Sequence, residues 1–162
     1  MTFEDFYKSF EQENFTKSST IIAHFRYATH GLKDAGNTHP FTLCSDYDEM
    51  RKVEDSVSSV LIHNGIISNV PRHDVASDTM VFTRIISRLD RSDPVLNEYI
   101  NSIASGSKVL ILHSNGAVET FGSEWIKDNG VFYSNNGYMT TYARAPIVSS
   151  AYAWYKDRYG SI

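Results

Sequence analysis

The order of elements along the sequence predicts an α+β fold, and three observations carry that expectation. Aromatic residues recur at helical spacing near the start, two capped amphipathic helices follow one another mid-chain, and the second half is mainly β-branched stretches turned by Asn-Gly. At 162 residues, 41% hydrophobic and 21% charged, the chain has the length of a single domain, 1–162, and enough apolar surface for one core.

The first element is "TFEDFYKSFEQEN", where Phe3, Phe6, Tyr7 and Phe10 fall three and four residues apart behind Thr2 as a candidate N-cap. That spacing predicts a short amphipathic packing helix. "STIIAHFRYAT" then alternates with period two, setting Ile21, Ala23, Phe25 and Tyr27 on one face and Ile22, His24, Arg26 and Ala28 on the other. It reads as a buried strand with one apolar and one mixed face. A loop of turn formers, "HGLKDAGNTHPF", leads to the strand-like "SSVLIHNGIISN" with its Asn-Gly turn signal.

"SDTMVFTRIISRLD" predicts a helix capped by Ser77 or Asp78, with Met80, Val81, Ile85 and Leu89 facing inward. "DPVLNEYINSIAS" predicts a second helix, with Pro94 in its first turn behind Asp93. From Lys108 the period returns to two. "KVLILHSNGAVETFG" reads as a hairpin around Asn115-Gly116, and "WIKDNGVFYSNN" as another around Asn129-Gly130. The aromatic-rich tail from Gly137 mixes surface and core residues and predicts no particular element.

Charge and composition narrow the function. With 15 Lys and Arg against 19 Asp and Glu, the net charge of -4 leaves no large basic field, so neither nucleic acid nor an anionic membrane is expected as the main partner. The single cysteine, Cys44, rules out an internal disulfide framework and suits a reducing cytoplasm. No apolar run approaches the ~20 residues of a membrane span, and "MTFEDFYKSF" is too acidic for a signal peptide, so a cytoplasmic protein is expected. His24, His30, His39, His63, His73 and His113 show neither compact ligand spacing nor accompanying cysteines, and no metal is expected.

The residues with chemical potential gather in "HFRYATHG", "LIHNGIISN" and "SDT", each at the end of an element, where sites are commonly built. Taken alone, each has two readings. The planar guanidinium of Arg26 suits a carboxylate held through two bonds, and equally a structural ion pair. Asp78 suits the ammonium of an amino acid, and equally an ordinary helix cap. Asn64 and Gly65 offer a side-chain amide and a backbone N–H to an oxyanion, and equally a plain turn. Cys44 is either a nucleophile or a small buried hydrophobe.

Taken together, "HFRYATHG", "NTHPF", "HNGIISN" and "SDTMVF" stand in the order and wording of the class II glutamine amidotransferase domain. The chain resembles that N-terminal-nucleophile glutaminase family, including its small stand-alone phage versions; "NGVFYSNN" is similar to the family's closing strand. The resemblance implies a four-layer αββα sandwich of two antiparallel sheets between helices. It implies that Arg26 clamps the α-carboxylate of L-glutamine, with Thr29 and His30 lining the same cleft. Asp78 would hold the α-ammonium, Asn64 and Gly65 would form the oxyanion hole, and His39 would shape the pocket. The reaction implied is hydrolysis of glutamine to glutamate and ammonia through a cysteinyl thioester, without a cofactor, the ammonia passing to a separate synthase.

One departure stands against these matches. The family's nucleophile is an N-terminal cysteine whose own α-amine serves as base, whereas this sequence starts with Met1 and a stretch similar to the helix before the H-x-R strand. The expectation is that the first strands and the nucleophile are missing and that the printed chain is inactive as a glutaminase. It would become one when completed by an upstream cysteine. The alternative is an inactive amidotransferase fold serving as an amino-acid-binding or protein-interaction module. Missing strands would also expose a sheet edge, which a homo-oligomer or partner strand would cover.

Overall fold

Two β-branched stretches, Ser59–Asn64 and Lys108–His113, form the centre of the main sheet in the computed structural model, which describes residues 3–25, 34–137 and 139. The strands are β1 (Phe41–Thr42), β2 (Ser59–Asn64), β3 (Lys108–His113) and β4 (Val118–Gly122), in the order β1-β2-β3-β4 and antiparallel throughout. A second, two-stranded antiparallel sheet joins β5 (Ile126–Asp128) to β6 (Val131–Tyr133). Helices α1 (Phe3–Gln12), α2 (Tyr47–Met50), α3 (Asp78–Ile86) and α4 (Pro94–Ile103) complete an α+β chain. Among the described residues no helix is long and apolar enough to cross a membrane.

Local signals decide the helix and hairpin boundaries. Ser77 Oγ accepts the N–H of Met80 at the start of α3, and Asp93 Oδ1 accepts those of Val95 and Leu96 at the start of α4, so both helices begin on side-chain caps. The β3–β4 hairpin turns at Asn115-Gly116 and the β5–β6 hairpin at Asn129-Gly130, where both central residues have positive φ, as a tight two-residue turn demands.

Alternation in β2, β3 and β4 sets Leu61, Val109, Ile111 and Phe121 on the face that α3 and α4 cover, where they pack with Phe82, Ile86, Ile100 and Ile103. An adjoining cluster, Phe41, Met50, Ala76, Met80 and Val81, seats α2 and the start of α3 on β1. On the opposite face Ile62 and Leu110 stand across from each other and are also buried.

The predicted strand over "STIIAHFRYAT" is not formed in its described part. Ile21–Phe25 takes no place in either sheet, and Arg26, Tyr27 and Ala28 lie outside the described residues, as do Thr2 and the tail from 140 onward. The alternation survives, with the mixed face turned inward: Ile21, Ala23 and Phe25 are exposed, while Ile22 and His24 are half-buried. Period two reports which side chains share a side. It does not supply the neighbouring strand that ladder bonds need.

The helix-covered face ends in a polar chain. Ser59 Oγ meets His113 Nδ1 at 2.7 Å, His113 Nε2 meets Glu119 Oε1 at 2.6 Å, and Arg91 donates Nε and Nη2 to the two Glu119 oxygens. Burial pushes the Glu119 carboxyl up, but the bonds from Arg91 and His113 outweigh it and hold the group below its ordinary value. A depressed carboxyl contributes stability that is fully present above the unfolded value of 4.5 and is lost as pH falls through the folded value. Glu119→Gln is therefore expected to cost about 1 to 3 kcal/mol at pH 7 and to flatten the stability decline below pH 4.5. Urea melts at pH 7 and pH 4 check this; equal losses at the two pH values would contradict it.

Candidate functional site

β2 delivers its last two residues, His63 and Asn64, to one end of the sheet, and the chain then turns sharply. Gly65 makes that turn at φ 134°, a conformation side chains rarely adopt, and it lies against buried Ser107, whose Oγ donates to the carbonyl of Ile66 at 3.0 Å. Asn64 and Gly65 are consequently exposed at the strand end. Two residues further, Ile67 returns to the core.

That turn is tied to the start of α3. The Ile67 N–H donates to Asp78 Oδ2 at 2.8 Å, while Asp78 Oδ1 accepts the N–H of Thr79 at 2.8 Å. The cap itself is Ser77, which resolves one of the two readings of the helix start: Asp78 is the first helical residue and brackets the neighbouring loop. Each carboxylate oxygen retains acceptor capacity beyond these bonds.

A column of imidazoles joins the remaining segments. His24 and His39 stack with ring centroids 4.3 Å apart, and His39 and His63 lie 6.1 Å apart. His39 Nδ1 accepts the backbone N–H of His63 at 3.2 Å, and its ring stands edge-on to Phe41. His63 Nδ1 is hydrogen-bonded to Thr79 Oγ1 at 2.8 Å, and Thr79 in turn bonds Asp78. The loop before His39 is held by Asp34, which accepts from Asn37 and from Arg51.

His63 is 4% exposed and its Nε2 has no hydrogen-bond partner among the described residues. Burial pulls its pKa below 6.5; the Asp78 carboxylate opposes this and His24 adds to it, so the ring is neutral at pH 7. The unfolded chain protonates this histidine near 6.5 and the folded chain only at lower pH, so stability declines as pH falls from 6.5 through the folded value. Thermal melts between about pH 7 and 5 should show that decline, and His63→Asn, which keeps a polar atom near the Nδ1 position, should remove its part of it. An unchanged pH slope in the variant would count against the assignment.

Of the residues singled out by sequence, Asn64, Gly65, Asp78 and His39 are brought to one end of the sheet. Arg26, Thr29 and His30 lie outside the described residues. Cys44 follows β1, packs beside the Phe41 and Met50 cluster and donates its S–H to the Asp46 carbonyl, the setting of a small packing residue. Sequence reasoning gave no role to His24, His63, Thr79 or Ser107. The first three stand inside the motifs and carried a signal, whereas Ser107 is recognisable only from its contact with Gly65. No group of three or more His, Cys, Asp or Glu is arranged to hold a metal ion among the described residues. Comparison with known proteins gives no match to a family model, a curated protein or a solved structure.

Proposed function

We propose that this strand-end site is the substrate pocket of a class II glutamine amidotransferase-like domain and binds L-glutamine. The observation that supports the reading is convergence: His24, His39, His63 and Thr79, one from each of the four motifs, form one connected column. Segments that share no local reason to meet come into contact, as a shared site would require.

In this reading Arg26 takes the α-carboxylate in its two-pronged guanidinium, and Asp78 takes the α-ammonium with the acceptor capacity its two backbone bonds leave. The exposed Asn64 amide and the Gly65 N–H face the side-chain amide and stabilise the oxyanion as its carbonyl carbon becomes tetrahedral. His63, neutral and buried, is tied to Asp78 through Thr79. Hydrolysis further requires a cysteine thiolate to attack that carbon and expel ammonia, and water to release glutamate from the thioester. That thiol is not Cys44, which is engaged with Asp46. Binding is the part of that chemistry the residues named here would supply.

The four-layer sandwich is part of the same proposal. The sheet face opposite the helices carries buried Ile62 and Leu110, with Val60 and Leu112 half-buried beside them, an apolar surface suited to a second sheet. Calorimetric titration with L-glutamine tests the function. Saturable binding is expected, and Arg26→Ala is expected to weaken it by about 2 to 5 kcal/mol by stranding the ligand's carboxylate. Equal affinity in the variant would remove Arg26 from the pocket, and no binding to the unaltered protein would remove the function.

A further inference from the structure

A cavity lies away from the histidine column, between α2, residues 71–73 and the outer side of α3, with a volume of about 430 Å³. That volume is in the range of small-molecule sites. Three arginines line it: Arg84 on α3, Arg88 one turn further on, and Arg72 from the loop opposite. No acidic side chain does. Of the described arginines, Arg51 and Arg91 are ion-paired with Asp34 and Glu119, while Arg72, Arg84 and Arg88 have no ion pair among the described residues.

Three guanidiniums without ion pairs line one cavity in a chain of net charge -4, an arrangement that an anion would complement. Arg84, in the last turn of α3, and Arg88, just past its C-cap Ser87, both line the cavity and offer it two planar forks. His73 adds a donor. Its Nδ1 accepts the N–H groups of Val75 and Ala76, which places the ring proton on Nε2.

The rest of the cavity is apolar and aromatic. Val81, Ile85 and Leu89 form the floor, and the Tyr47 ring lies under the Arg84 guanidinium at 4.9 Å and edge-on to His73. A bare phosphate would use the arginines and leave this floor exposed. We propose that the cavity binds a nucleoside phosphate, the phosphate held by Arg72, Arg84 and Arg88 and the flat base laid on the floor beside Tyr47. This site is independent of the glutamine pocket.

Calorimetric titration with the four nucleoside 5′-monophosphates, the free nucleosides and inorganic phosphate tests it. At least one monophosphate is expected to bind, with both its nucleoside and inorganic phosphate about tenfold or more weaker. Arg84→Gln and Arg72→Gln are each expected to weaken that monophosphate about tenfold, as the loss of one charged hydrogen bond predicts, without altering L-glutamine binding. Arg72 is exposed in a loop, so its replacement leaves folding intact, and melts confirm this for both variants. No bound monophosphate, inorganic phosphate binding as tightly as the nucleotide, or unchanged affinity in the two variants would each overturn the proposal.

Discussion

Gly65→Ala is expected to lower folding stability by about 2 to 4 kcal/mol and to abolish L-glutamine binding. Two independent costs combine. At φ 134° an alanine is strained whatever the space around it, and its Cβ would lie 2.5 Å from Ser107 Oγ and 3.0 Å from Ser107 Cα. Ser107 is 1% exposed and its hydroxyl is bound to the Ile66 carbonyl, so it cannot swing aside without breaking that bond. The backbone must move instead. The N–H proposed for the oxyanion hole moves with it, as does the Ile67 N–H that anchors Asp78. Denaturant melts measure the stability loss, and adding Ser107→Ala to the variant should recover the part due to the hydroxyl contact. A loss below about 0.5 kcal/mol would mean that the turn tolerates a side chain.

Asp78→Ala is expected to weaken L-glutamine binding by about 2 to 5 kcal/mol, since the ligand's ammonium would lose its counter-charge. It is also expected to cost about 1 to 3 kcal/mol of stability, because the Ile67 and Thr79 N–H groups lose their acceptors. Asp78→Asn separates the two effects: its carbonyl still accepts one of these N–H groups, while its amide removes the charge. The Asn variant should melt closer to the unaltered protein and still bind glutamine poorly. Binding by Asp78→Asn at full strength would make Asp78 a loop bracket alone.

What the sequence makes legible here is local chemistry. Ser77 and Asp93 announce α3 and α4 because a cap satisfies backbone donors two or three residues away, and Asn115-Gly116 and Asn129-Gly130 announce hairpins because Gly116, Asn129 and Gly130 take positive φ. Ile21–Phe25 shows the limit of that logic. Its alternation predicted two faces, but which face turns inward depends on His39, a residue distant in sequence, and the mixed face with His24 is the one that packs there.

The candidate site divides the same way. Asn64, Gly65, His39 and Asp78 were visible as motif residues, and the fold places them at one sheet end. Ser107 was invisible, since its importance comes from the glycine it touches across the fold. Arg72, Arg84 and Arg88 were equally hidden: scattered in sequence among ordinary surface charges, they face one cavity only after α3 docks beside residues 71–73.

The central claim is that L-glutamine sits between the Gly65 turn and Asp78. The most direct measurement is a titration of the ¹⁵N-labelled protein with L-glutamine, following the backbone amides of Gly65, Ile67 and Thr79. The account predicts saturable shifts at all three in the unaltered protein and their disappearance in Asp78→Asn. Saturating glutamine that leaves those three amides unmoved would contradict it.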